Sequence, residues 1–552
     1  MMAKGEKFRQ AVIVIHGMGE QVPMETVRGF VETVWNYDLR VIDNRRPVRG
    51  EEDLGTSKRD RNPTWSKPDP RTGLYETGRI TTEKGDNSYY TDFFEYYWAH
   101  LVYGTTWEQV RAWIAGLLWR NPFKRVPRGV LFAWIALWVA TLTIAGGALW
   151  SAWPKSDIAE TTLPSVSFLT GGVSLVAAWF VSNILVKRIG DVVRYTQAEP
   201  PNIARREEIR RKGVKFLQSL IDQRDSAKPD QPYYDRIVVV AHSLGSIVAY
   251  DILSECFAAN ARSLDTTLPD SARQPERDKL EEFIRHKLGL DTKDDKPPAL
   301  DVEAYQKQQD AARCEMNKMG GTWPVSDFVT LGSPLSHAEF LMAESHEDLR
   351  ALQKERILAT CPPTLEYDGT TRLRHFSYRR GRASFIGALT KDEEKLNIPQ
   401  DPKGADAAIM QANENKRKEY CKAQAQIPRW PHHAAVFGYT RWTNIYSQHR
   451  GIITGDIVSG PLEQQFGIEG QASYFCGIKD VAVMPKLKPG NEVPDSSHRR
   501  RFVSHNSYWS MEGGTERNKD DFDAKTSDPG KHPHHIRALR DALRLGADDL
   551  NG

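Results

Sequence analysis

The segment that most constrains the fold runs from Arg236 to Tyr250. In it a wholly apolar, β-branched run ends on a serine and passes at once into a helical pattern. Ile237, Val238, Val239 and Val240 lack the polar alternation of a half-exposed strand, so they read as a strand buried on both faces. Such strands belong to parallel sheets covered by helices on each side, which predicts an α/β architecture. The turn that follows, Ala241-His242-Ser243-Leu244-Gly245, has a small residue two positions to either side of the serine. A sharp strand-to-helix turn needs small residues there, because neighbouring backbone comes too close for a larger side chain. Ala241 stands where glycine is usual and adds only a methyl group. A serine that merely caps the helix is the plainer reading of the same position.

Other segments fit this frame. Ala11–Ile15 is a short β-branched run ending at His16-Gly17, and Asp92–Trp98 is an aromatic run of strand type. Helical spacing over Arg205–Gln223 sets Ile209, Val214, Leu217, Leu220 and Ile221 on one face. Residues 41–90, rich in charge, Pro and Gly, read as loop. The charged insertions at about 262–320 and 392–429 are helix-compatible and read as mostly solvated excursions. For 552 residues the reading is one large catalytic domain with insertions rather than several domains.

Five pieces together resemble the α/β-hydrolase superfamily, in particular its lipases and esterases: Val12–Gly19, Val238–Ser246, Phe328–Leu335, Trp442–Ser447 with Gly455–Leu462, and Val503–Trp509. They cover about a fifth of the chain. The resemblance implies a mostly parallel central sheet flanked by helices and a triad in the order Ser, Asp, His. Ser243 is then the nucleophile, His505 the general base and Asp456 the acid that orients it. The backbone N–H groups of Met18 and Leu244 form the oxyanion hole, and His16, Gly17 and Gly245 support the turns. His498, His449, His532, His534 and His535 remain rivals for the base, and Asp480 and Asp495 for the acid. His242 reads as a packing residue.

One segment lies outside that resemblance. No charged residue occurs from Gly129 to Pro154 or from Thr161 to Val186, and each run is long enough to cross a bilayer as a helix. Nine of the 15 Trp lie between Trp98 and Trp179, several at the ends of these runs, as at membrane interfaces. Arg120, Lys124, Arg125 and Arg128 precede the pair, Lys187, Arg188 and Arg194 follow it, and the connecting loop holds only Lys155 among basic residues. The expectation is a two-helix membrane hairpin, about 129–150 and 165–186, with both ends in the cytoplasm. Two buried core helices are the competing reading. Just upstream, Trp107, Val110, Trp113, Ile114, Leu117 and Leu118 share a helical face suited to an interface or to plain core packing.

The expected divisions are therefore 1–105 and 190–511 for the hydrolase domain, 106–189 for the membrane insertion, and 512–552 for a polar tail with a short helix. The expected protein is an integral membrane ester hydrolase facing the cytoplasm, its substrate a lipid or other acyl ester drawn from the bilayer. The same triad serves thioesterases, amidases and acyltransferases, and a hydrolase fold also serves as a non-catalytic scaffold. A net charge of +3 gives no pull toward nucleic acid. Five scattered cysteines with no C-x-x-C suggest neither a disulfide framework nor a zinc site of ordinary spacing. No phosphate-binding glycine loop or metal-ligand spacing is present, so no cofactor and no metal is expected. Met1–Gln10 shows no signal-peptide pattern, so no cleaved secretion signal is expected. Protein partners cannot be read from these motifs.

Overall fold

A computed structural model describes residues 8–17, 22–38, 62–70, 72–73, 76–82, 90–101, 195–196, 200–267, 274–290, 301–368, 373–379, 429–447, 456, 458–470, 474–483, 505, 508–509 and 534–546, with seven positions between 134 and 146. Eight strands form the central sheet: β1 (Arg9–Ile15), β2 (Thr64–Lys67), β3 (Arg79–Thr82), β4 (Tyr90–Tyr96), β5 (Arg236–His242), β6 (Val325–Leu331), β7 (Arg441–Ser447) and β8 (Lys479–Val483). Their order is β8-β7-β6-β5-β1-β4-β3-β2. The run from β8 to β4 is parallel throughout, and β3 and β2 extend it antiparallel. β2 and β3 fall in the stretch read as loop; four-residue strands among charges are too short to carry a visible period.

Period-2 alternation explains how one strand serves two cores. Ala11, Ile13, Ile15, Ile237, Val239 and Ala241 face one way, toward α2 (Pro200–Ile221) and α3 (Gly245–Thr267). Val12, Val14, Val238 and Val240 face the other way, toward α1 (Glu25–Val31) and the C-terminal helix. Both faces are therefore dry, as the absence of polar residues in these strands requires.

Two expectations need correction. The insertion at about 262–320 is no solvated excursion: it forms α4 (Pro275–Lys287) and α5 (Val302–Lys318), whose Leu280, Ile284, Tyr305, Ala312 and Met316 join the main core. Gln306 and Gln309 donate to the carbonyls of Trp442 and Phe437, tying α5 to β7 and the loop before it. Charge in these helices masks a narrow apolar stripe. Nor is the end of the polar tail free. Helix α6 (His534–Leu543) buries Ile536, Leu539 and Leu543 against the sheet, and Arg540 donates to the carbonyls of Thr33 and Tyr37. At its far end the Arg236 guanidinium donates hydrogen bonds to the carbonyls of Leu543 and Arg544, besides those to Gln10, Ser326 and Asp327.

Within the first uncharged run the described positions are helical. Trp134 and Trp138 meet edge to face with centroids 6.1 Å apart, and Ile135, Val139 and Leu142 are 45%, 57% and 60% exposed. The rest of that run, the whole of the second run, the stripe from Trp107 to Leu118 and most of the insertion at 392–429 lie outside the described residues. Among the described residues no helix is long and apolar enough to cross a membrane.

Candidate active site

The parallel strands align their C-terminal ends at one edge of the sheet, with Ile15 opposite Ala241 and His242 opposite Leu331. Loops leaving that edge bring distant residues together, the usual place for a site in an α/β sheet. Ser243 follows β5 with φ +52, a left-handed conformation that a non-glycine residue adopts only when its surroundings enforce it. Its N–H donates to the Leu331 carbonyl, and α3 starts two residues on. A methyl group on Gly245 would lie 2.3 Å from the His16 carbonyl oxygen, and one on Gly17 would lie 2.8 Å from Ser243 Cβ. Glycine at 245 is thus required by the approach of β1's end to the elbow.

The three residues expected to form the triad are in contact. Ser243 Oγ lies 2.8 Å from His505 Nε2, and His505 Nδ1 lies 2.9 Å from Asp456 Oδ2. With Nδ1–H donating to the carboxylate, Nε2 is left as acceptor for the serine proton, the tautomer a general base needs. Asp456 also accepts from Ser459 Oγ and Tyr508 OH, each at 2.8 Å, and from the Val458 N–H at 3.0 Å. Burial alone would raise its pKa, but the hydrogen bonds from His505, Ser459 and Tyr508, with the His505 charge, hold the carboxyl below its usual range. Tyr508 OH accepts in turn from the Ser447 N–H at the end of β7. A methyl group on Gly332, which has φ +58, would lie 2.5 Å from the Tyr508 ring and 3.2 Å from Asp456 Oδ2. The glycine of Phe328–Leu335 thereby makes room for the acid and its tyrosine.

The supporting residues are buried and neutral. Desolvation lowers His16 to about 4. Its Nδ1–H donates to the Gly17 carbonyl, its Nε2 accepts from the Trp98 N–H, and its ring stacks on the Trp98 indole at 5.3 Å. The Leu244 N–H points to no acceptor among the described residues although Leu244 is fully buried. A buried orphan N–H beside Ser243 could serve a developing oxyanion. Met18, expected as the second donor, lies outside the described residues.

Three of the rivals, Asp480, His534 and His535, fall within the described residues. Asp480 accepts from Asn444 Nδ2 and from the N–H groups of Leu462 and Glu463, so it caps a short helical turn. Burial pushes its carboxyl up to about 6. His535 is buried on α6, and His534 belongs to the same helix. His449, His498, His532 and Asp495 lie outside the described residues. Reasoning from sequence missed Ser459 and Tyr508 as ligands of the acid. Their only signal is proximity, three residues after Asp456 and three after His505.

No family model, no curated protein and no solved structure matches the chain.

Proposed function

We propose that this protein is a serine hydrolase of the α/β-hydrolase type that cleaves carboxylic esters, in particular lipid acyl esters, from a membrane-bound position. The observation that carries the reading is the continuous chain Ser243 Oγ, His505, Asp456, built on a serine at φ +52. Ser243 attacks the ester carbonyl as His505 Nε2 takes its proton, and the Asp456 carboxylate stabilises the imidazolium. The tetrahedral oxyanion is met by the Leu244 N–H and, on this reading, by that of Met18; loss of one such donor costs ~3 kcal/mol of barrier stabilisation. His505 returns the proton to the departing alcohol. Water, deprotonated by the same ring, then attacks the acyl-enzyme, releases the acid and restores Ser243.

The substrate class rests on the hairpin reading. Two uncharged runs flanked by basic residues, and the outward-facing Ile135, Val139 and Leu142, support a bilayer anchor with the catalytic domain on the cytoplasmic side. The insertion lies in sequence between β1 and β5, whose ends carry the oxyanion turn and the nucleophile, so its acyl-ester substrate is nearby. The test is turnover of a panel of phospholipids, monoacylglycerols and short p-nitrophenyl esters by detergent-purified protein. The expected outcome is fatty-acid release that falls at least ~10³-fold in Ser243→Ala. Silence across the panel would overturn the ester assignment.

A further inference from the structure

The residue immediately before Ser243 touches both the segment of His505 and the turn at Gly17. His242 Nε2 lies 2.7 Å from the main-chain oxygen of His505, so the ring donates to the backbone of the general base itself. Its ring centroid is 5.0 Å from that of His505 and 4.9 Å, edge to face, from that of Trp509. On its other side, a methyl group on Gly17 would lie 3.1 Å from His242 Nδ1, so the ring also fills the space against the oxyanion turn. The elbow, the base loop and the oxyanion turn thus meet on one imidazole.

We infer that His242 is a positioning residue for the proposed hydrolase, its Nε2–H fixing the backbone of His505 so that the base stays within reach of Ser243. The inference rests on the serine-hydrolase reading. Packing would be served by any flat ring of this size, but positioning requires the donor. The His505 carbonyl is a strong acceptor, and removing its partner releases the loop that sets the distance from Nε2 to Oγ. The ring suits a fixed donor because it does not change charge near neutrality: burial, the neighbouring His505 charge and His16 lower its pKa to about 3, against a weaker upward effect of its hydrogen bond to His505 and of Asp456. A histidine that titrated would turn the donor into a repelling cation beside the imidazolium formed during turnover.

The test compares His242→Phe, which keeps a ring but has no N–H, with His242→Gln, which keeps a donor, in the full-length protein. His242→Phe is expected to lower kcat and the rate of fluorophosphonate labelling about 10- to 100-fold with KM within about two-fold of wild type. His242→Gln is expected to regain most of that loss. Wild-type rates in a folded His242→Phe variant, or a folded His242→Gln variant as slow as His242→Phe, would overturn the inference. Independently of any variant, ¹⁵N-histidine spectra of the wild-type protein are expected to show His242 as the neutral Nε2–H tautomer from about pH 5 to about pH 9. The Nδ1–H tautomer would also overturn it. Failure of the hydrolase reading would look different: the wild-type protein itself would not be labelled.

Discussion

At the residue scale, the site is a set of buried polar groups whose partners are nearly all inside the protein, and a buried carboxyl outside that set gives the fold a pH dependence. Glu95, at the end of β4, accepts from the Met24 N–H at the start of α1, just after the oxyanion turn. Burial, offset in part by hydrogen bonds from Met24 and Thr26, pushes its carboxyl from 4.5 up to about 7. A carboxyl raised on folding favours the folded state fully below its unfolded value, and that advantage is lost as pH rises through the folded value. The wild-type protein should therefore lose up to ~3 kcal/mol of stability relative to Glu95→Gln between about pH 4.5 and about pH 7. Denaturant melts of both proteins across that range check it; parallel curves would show that Glu95 does not carry the effect. Ser243, Asp456 and His505 were legible in the sequence because the serine sits in a strand-turn-helix context and because the order of the three matches a known pattern. The ligands of Asp456 were not, since a tyrosine or serine shows its partner only when the chain is folded.

At the element scale, the elbow depends on one backbone approach. β1 ends so close to the first turn of α3 that Gly245 has carbonyl oxygens where a Cβ would stand. Main chain in a central parallel strand cannot move aside as a flexible side chain can. Gly245→Ala is accordingly expected to destabilise the fold by at least ~2 kcal/mol, read as a shift in the urea midpoint at unchanged slope. A midpoint equal to wild type would contradict the close approach. β1, β4 and β5 were legible because both-face burial leaves uninterrupted apolar or aromatic runs. The burial of α4, α5 and α6 was not, although helices were expected in those segments, because a helix that buries one narrow stripe keeps its remaining surface charged and the composition of the segment reports that surface. Arg277, Glu281 and Arg285 are buried on the same helix that looks solvated by charge count.

At the scale of the whole molecule, an α/β core with a mostly parallel sheet was foreseeable, while the docking of the C-terminal helix under the sheet was not. That docking depends on Arg236, on a strand some three hundred positions earlier, reaching the carbonyls of Leu543 and Arg544, a pairing with no local signature. The edge of the sheet that carries Ser243 is at the opposite ends of the strands from Arg236, so this contact to the C-terminal helix lies away from the candidate site. On the proposed function, the scaffold serves to activate Ser243. The most direct measurement is reaction of the intact protein with a fluorophosphonate, followed by peptide mapping of the adduct. One phosphonylated peptide containing Ser243, absent in Ser243→Ala and strongly slowed in His505→Ala, is the result expected. Absence of any adduct on folded wild-type protein, or an adduct at another serine that persists in Ser243→Ala, would contradict it.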